Sequence, residues 1–199
     1  MWMAETSYSF SKDFEKNRNL YSLLFPTFSS SMISVLDIVK DTMVDGPGFR
    51  TSIYCAGCEN ACEGCHNPQS WDIHHGRWMS TDDLLREVMD DEFADVTFSG
   101  GDPMMQAQGF AELAQAIRQN CFKTIWCYTG YRFEWLIKRE NKQPLLKLID
   151  VLVDGPFVKS LRDPDLLFRG SSNQRIIDVR KSLREGRVVV MTDEQALGL

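Results

Sequence analysis

The sequence predicts an α/β fold, built as a partial (β/α) barrel of parallel strands, and three observations lead there. From Met32 onward, short β-rich runs alternate with amphipathic helical stretches, the pattern of strands joined by right-handed crossovers. Glycine-bearing loops directly follow several of those runs. The chain has 199 residues, enough for a domain with its own core and too few for a full eight-unit barrel of about 250 residues.

The elements follow in order. Residues 1–31 mix Ser, Asn, Lys and scattered aromatics without a period and end in Phe25-Pro26-Thr27-Phe28-Ser29-Ser30-Ser31. They read as an N-terminal extension, either disordered or the trace of an upstream start codon. Met32 is then the expected start of a single domain spanning residues 32–199, opening on Ile33-Ser34-Val35-Leu36-Asp37-Ile38. Thr51-Ser52-Ile53-Tyr54-Cys55 is a strand that runs into a cysteine-rich loop. Ser80-Thr81-Asp82-Asp83 supplies an N-cap and first-turn acids for a helix carrying Leu84, Leu85 and Val88. Val96-Thr97-Phe98 is a strand closed by Ser99-Gly100-Gly101-Asp102-Pro103. Phe110, Leu113, Ala114 and Ile117 mark one helix face by their spacing. A strand over 123–128, closed by Thr129-Gly130, precedes helices near 133–138 and 145–149. Val151-Leu152-Val153 is a strand closed by Asp154-Gly155-Pro156, and Ile176-Ile177-Asp178-Val179 is the last strand. In a parallel sheet the carboxyl ends of strands share one face. The cysteine loop, the Gly100-Gly101 loop, Thr129-Gly130 and Asp154-Gly155 therefore converge on one site.

Bulk properties remove whole classes of function. Hydrophobic residues are 43% and charged residues 25%, with a net charge of -6, so a nucleic-acid surface is not expected. No apolar run approaches the roughly 20 residues of a membrane span. The early apolar stretch at 20–25 is broken by Ser22 and stopped by Pro26, which is too short for a signal-peptide core. The expected compartment is the cytoplasm. Four of the six cysteines fall between Cys55 and Cys65, a crowding that suits a metal or cluster rather than disulfides between distant segments.

Cys58, Cys62 and Cys65 are spaced C-x3-C-x2-C. Thiolates hold a [4Fe–4S] cube, usually one per iron, so three cysteines leave one iron open. That iron can chelate the amino and carboxylate groups of a methionine moiety. Cys55 makes the run C-x2-C-x3-C-x2-C and keeps two rivals open: structural zinc, and an electron-transfer cluster with four cysteine ligands. Zinc modules separate their cysteine pairs by about 12–20 residues, whereas here only three intervene. Cys55, Cys121 and Cys127 are expected to be core cysteines. Asp102 offers an acceptor for a ligand ammonium group, and His66 can cover the cluster or an adenine. Asp45-Gly46-Pro47-Gly48 reads as a turn at the pocket rim. His74 and His75 read as surface residues, Asp90-Asp91-Glu92 as a solvated helix end, and Trp126 and Tyr128 as core.

These stretches resemble a known family. Residues 58–67, Cys58-Glu59-Asn60-Ala61-Cys62-Glu63-Gly64-Cys65-His66-Asn67, look like the cluster loop of the radical S-adenosylmethionine (SAM) superfamily, and Ser99-Gly100-Gly101-Asp102-Pro103 looks like its glycine-rich strand end. More narrowly, residues 35–183 resemble the activating proteins of anaerobic (class III) ribonucleoside-triphosphate reductase. That likeness rests on Val44-Asp45-Gly46-Pro47-Gly48-Phe49-Arg50, Trp126-Cys127-Tyr128-Thr129-Gly130-Tyr131, Val151-Leu152-Val153-Asp154-Gly155-Pro156-Phe157 and Phe168-Arg169-Gly170-Ser171-Ser172-Asn173-Gln174.

The resemblance implies a radical SAM type of partial barrel and a [4Fe–4S] cluster on Cys58, Cys62 and Cys65 with one open iron. It implies cofactor contacts from His66, Asn67, Ser99, Gly100, Gly101, Asp102, Thr129 and Asp154, with no catalytic residue beyond the cluster ligands. The implied activity is reductive cleavage of S-adenosylmethionine to a 5′-deoxyadenosyl radical, which installs a glycyl radical on the reductase. Reduced flavodoxin or a similar donor would supply the electron. Activation of pyruvate formate-lyase or another glycyl-radical enzyme is the neighbouring alternative, and a non-catalytic iron–sulfur electron carrier the alternative of another class. Two features depart from the family: Cys55 stands where an apolar residue is usual, and the extension has no counterpart.

Overall fold

Side-chain alternation along the central strands sorts the molecule into two faces. Strand β2 (Arg50–Cys55) sends Ile53 and Cys55 one way and Tyr54 the other, while β5 (Ile125–Thr129) parts Ile125 and Cys127 from Trp126 and Tyr128. The computed structural model describes residues 30–198; the expectation for the N-terminal extension falls, up to residue 29, outside the described residues.

Seven strands form one sheet in the order β3-β1-β2-β4-β5-β6-β7. The others are β1 (Met32–Thr42), β3 (Arg77–Ser80), β4 (Asp95–Gly100), β6 (Val151–Asp154) and β7 (Arg175–Asp178). Only β2, β4, β5 and β6 run parallel. β1 is antiparallel to both β2 and β3, and β7 is antiparallel to β6. The expectation of parallel strands throughout is corrected: the sheet is mixed, parallel at its centre and antiparallel at both edges. The reason is connection length: residues 43–49 join β1 to β2, and a parallel crossover takes a dozen residues or more.

One face is covered by α1 (Thr81–Met89), α2 (Ala107–Asn120), the one-turn helices α3 (Phe133–Leu136) and α4 (Gln143–Leu146), and α5 (Val179–Glu185). Ile53, Cys55, Val96, Phe98, Ile125, Cys127 and Leu152 pack there against Leu84, Phe110, Leu113 and Ile117. Ser80 caps α1, accepting a hydrogen bond from the Asp83 N–H at 3.1 Å, as its sequence promised. Helices α3 and α4 are shorter than their patterns suggested. On the other face Trp126, Val151, Val153 and Ile176 meet Met191 and Ala196, the latter from α6 (Asp193–Leu197). That face is only partly covered, and the rest of it is the wall of a cavity. Among the described residues no helix is long and apolar enough to cross a membrane.

Candidate metal centre

The parity of β2 decides the fate of the first cysteine. Cys55 shares its side with Ile53, is fully buried in the helix-side core, and has its thiol pushed well above the ordinary range by burial. The chain leaves the sheet at Ala56, and the loop is then pinned back on itself. The Gly57 N–H donates to the Ser70 carbonyl at 2.7 Å, and that of Cys58 to Trp71 at 3.1 Å. Cys58, Cys62 and Cys65 emerge half-buried and line one cavity of about 530 Å³. Cys121 packs against the helix-side core and Cys127 lies within it.

The four strand ends do converge. Ser99, Gly100 and Gly101 at the end of β4, Thr129 and Gly130 at the end of β5, and Gly155 after β6 line the same cavity as the three thiols. The contact between β4 and the cysteine loop is close. The Gly101 N–H donates to the Cys55 carbonyl at 2.7 Å and that of Asp102 to Gly57 at 2.8 Å. Gly100 sits at φ +100°, and a Cβ there would stand 2.5 Å from the Cys55 nitrogen, so no side chain fits. His66 is exposed at the rim with its ring 5.7 Å from that of Phe157. Asn67 lines the cavity, and its N–H donates to Cys65 Sγ at 3.4 Å.

Two of the expected ligand contacts sit elsewhere. The Asp102 carboxylate is fully buried and absent from the cavity wall. It accepts from Thr129 Oγ1 at 2.9 and 3.0 Å, from the N–H groups of Gly130 and Met104 at 3.0 Å each, and from Asn60 Nδ2 at 3.0 Å. Burial pushes its pKa up to about 6 against the pull of those donors. Asp154 shares strand parity with Leu152, so it turns to the helix side. It accepts from the Phe133 N–H at 2.8 Å, from Arg132 at 3.2 Å and from Arg175 at 2.9 and 2.5 Å. Both carboxylates hold the site together; neither presents itself to a ligand.

Other parts of the wall come from the turn expected at the rim and from stretches not expected to line it. Asp45 and Val44 line the cavity, Asp45 accepting from the Tyr54 hydroxyl. The turn 45–48 rests on the buried Arg50 guanidinium, which donates to Pro47 and Val96 carbonyls at 3.1 and 2.7 Å and to Thr97 Oγ1 at 2.7 Å. Desolvation lowers the Arg50 pKa to about 10. Tyr128, expected in the core, lines the cavity. Phe168, Arg169, Gly170 and Gln174 form the far wall, with Arg169 paired to Asp193. His74 and His75 are exposed, as expected of surface residues. Asn60, which no motif singled out, is the residue that links the cysteine loop to Asp102.

The donor set fits an iron–sulfur cluster. Three thiols open together on a cavity, and N–H donors from Asn60 and Asn67 lie 3.5 and 3.4 Å from Cys58 Sγ and Cys65 Sγ, positions that suit thiolate acceptors. The same reading follows from comparison with known proteins. Residues 44–177 match the family described as a 4Fe-4S single cluster domain, which makes the chain an iron–sulfur protein of that class. Within the class, the anaerobic ribonucleoside-triphosphate reductase-activating protein of Escherichia coli K12 is 36% identical over 146 residues, covering 69% of this chain and 94% of the relative. That of Haemophilus influenzae is 34% identical over 154 residues, covering 72% and 97%. That of Enterobacteria phage T4 is 32% identical over 139 residues, covering 67% and 86%. The chain belongs to the family of anaerobic ribonucleoside-triphosphate reductase-activating proteins.

Proposed function

We propose that this chain is a radical S-adenosylmethionine enzyme that installs a glycyl radical on anaerobic ribonucleoside-triphosphate reductase in the cytoplasm, drawing its electron from reduced flavodoxin or a similar donor. The observation that carries the reading is the shared cavity. Cys58, Cys62 and Cys65 open on it beside Gly100 and Gly101, while Cys55 is withdrawn into the core. The three thiols would hold a [4Fe–4S] cluster with one iron left for the cofactor. Such a cluster supplies one electron to the sulfonium of S-adenosylmethionine, releasing methionine and a 5′-deoxyadenosyl radical able to take a hydrogen atom from glycine.

The chain's own residues bind, orient and exclude water. Backbone at Ser99, Gly100 and Gly101 approaches the methionine end, and the glycines let β4 press against the cysteine loop, since a Cβ at either would run into the backbone of Cys55 or Gly57. His66 and Asn67 close the rim on the other side. Asp102 and Asp154 act behind the wall, fixing the loops that carry these contacts, while Thr129 lines the cavity and donates to Asp102. The far wall of Phe168, Arg169, Gly170 and Gln174 faces the partner, so Arg169→Ala should lower radical yield on the reductase while sparing cofactor cleavage.

The test is anaerobic reconstitution of the full chain with iron and sulfide, followed by incubation with S-adenosylmethionine, reductant and reductase. Cleavage to 5′-deoxyadenosine and a glycyl radical signal on the reductase are expected. Replacing Cys58, Cys62 or Cys65 with Ala should each abolish the visible absorption of the cluster and the cleavage, and Cys55→Ala should keep both. Loss of the cluster in Cys55→Ala would instead favour the four-cysteine electron carrier. A radical formed on pyruvate formate-lyase and not on the reductase would move the chain to the neighbouring activators.

A further inference from the structure

We propose that Asn60 tunes the cluster, donating a hydrogen bond to the Cys58 sulfur from a socket built by Asp102 and Gly130; this rests on the three-cysteine cluster reading above. Asn60 lies midway between the first two ligands, and its Nδ2 is 3.0 Å from Asp102 Oδ2 and 3.5 Å from Cys58 Sγ. The chemistry of the neighbours fixes which way the amide faces. A carboxylate and a thiolate both accept, so only the NH₂ end, with two N–H groups, can satisfy them together. The carboxamide oxygen turned to Asp102 would set acceptor against acceptor.

The socket is shaped for this side chain. A Cβ on Gly130 would overlap all three terminal atoms of the Asn60 amide, at 2.3–2.6 Å, so the glycine makes room for it rather than supplying an unusual backbone angle. The Gly130 N–H and Thr129 Oγ1 occupy the rest of the Asp102 carboxylate, which leaves the amide one consistent seat. The next residue, Ala61, is turned to φ +43°, a conformation that costs a residue with a Cβ and is retained where surrounding contacts over-determine it. Asp102 is thus a positioning residue, acting on the sulfur through Asn60.

A donor to a ligating sulfur stabilises the more negative, reduced state of the cluster and raises its potential. Asn60→Ala removes the donor. Gly130→Ala evicts the amide while leaving every donor in the chain. In both, the reconstituted full-length protein should hold the wild-type amount of iron, and its midpoint potential, followed by the reduced-cluster EPR signal, should become more negative. At a fixed donor poise the reduced fraction should fall about two- to tenfold, the range of one such hydrogen bond. Unchanged potentials with full iron would overturn the proposal, as would loss of iron in both variants, which would make Asn60 only a tether for the loop. A wild-type chain that assembles no cluster is a separate result, refuting the proposed function itself.

Discussion

Asp102 follows β4 and Asp154 ends β6, two strands of the parallel centre with β5 between them; both carboxylates are fully buried, and they are solvated in opposite ways. Around Asp102 every donor is neutral: two backbone N–H groups, a hydroxyl and a side-chain amide. Around Asp154 two guanidinium groups do the work, with Arg175 shared with Glu134. A buried charge needs either a counter-charge or several dipoles. The cavity end of β4 uses dipoles, which pull the carboxyl toward its ionised form against the burial that raises its pKa and leave its neighbours free of fixed positive charge. The end of β6 uses ions, which clamp α3 and β7 together behind the wall.

The largest effect should come from breaking the ionic socket. Asp154→Ala strands Arg132 and Arg175, and because both are partly exposed and Arg175 keeps Glu134, the loss should be about 3–4 kcal/mol, read from denaturant unfolding of the metal-free protein. A loss under 1 kcal/mol would show that the pairs are solvent-compensated. Next comes the pH profile of the neutral socket. The Asp102 pKa of about 6 lies above the ordinary carboxylate value, so the folded state binds this proton more tightly than the unfolded. Its contribution is therefore greatest below about pH 4 and is lost as pH rises through 6, by roughly 2–3 kcal/mol. Asp102→Asn should flatten the stability profile over that window, and a profile of unchanged slope would place the titration elsewhere. Thr129→Val removes the hydroxyl donor, costs about 1.5 kcal/mol, and should carry the sloping region to higher pH. The smallest change belongs to Glu134. Its pKa is held down at about 2 by the hydrogen bond from Arg175, so its pair is intact above about pH 4.5 and weakens as pH falls toward 2. With a half-exposed side chain, Glu134→Gln should cost only about 0.5 kcal/mol at neutral pH.

Much of this site was legible in residue order. The alternation that puts Trp126 and Tyr128 opposite Cys127 also fixes Cys55 in the core and lets three cysteines reach the cavity. Applied to Val151-Leu152-Val153-Asp154, the same rule would have turned Asp154 away from the ligand, since it shares parity with Leu152. Asp102 was harder, because the left-handed turn at Gly100 breaks the period before it. Asn60 gave no local signal, its meaning depending on partners 42 residues away at Asp102 and on the missing side chain of Gly130. The antiparallel edges were hidden as well: a β-rich run carries no mark of its direction, and only the short link at 43–49 hinted at one.

The far wall carries a consequence for how the protein is made. Cys58, Cys62 and Cys65 leave the ribosome early, yet the cavity they open on is completed by Gly155, Phe157, Phe168, Arg169 and Gln174. A chain halfway through synthesis has its thiols but no chamber around them. If these thiols hold the cluster as proposed, iron and sulfide are sheltered only after the chain through Gln174 has emerged, and until then the three thiols are open to oxidation.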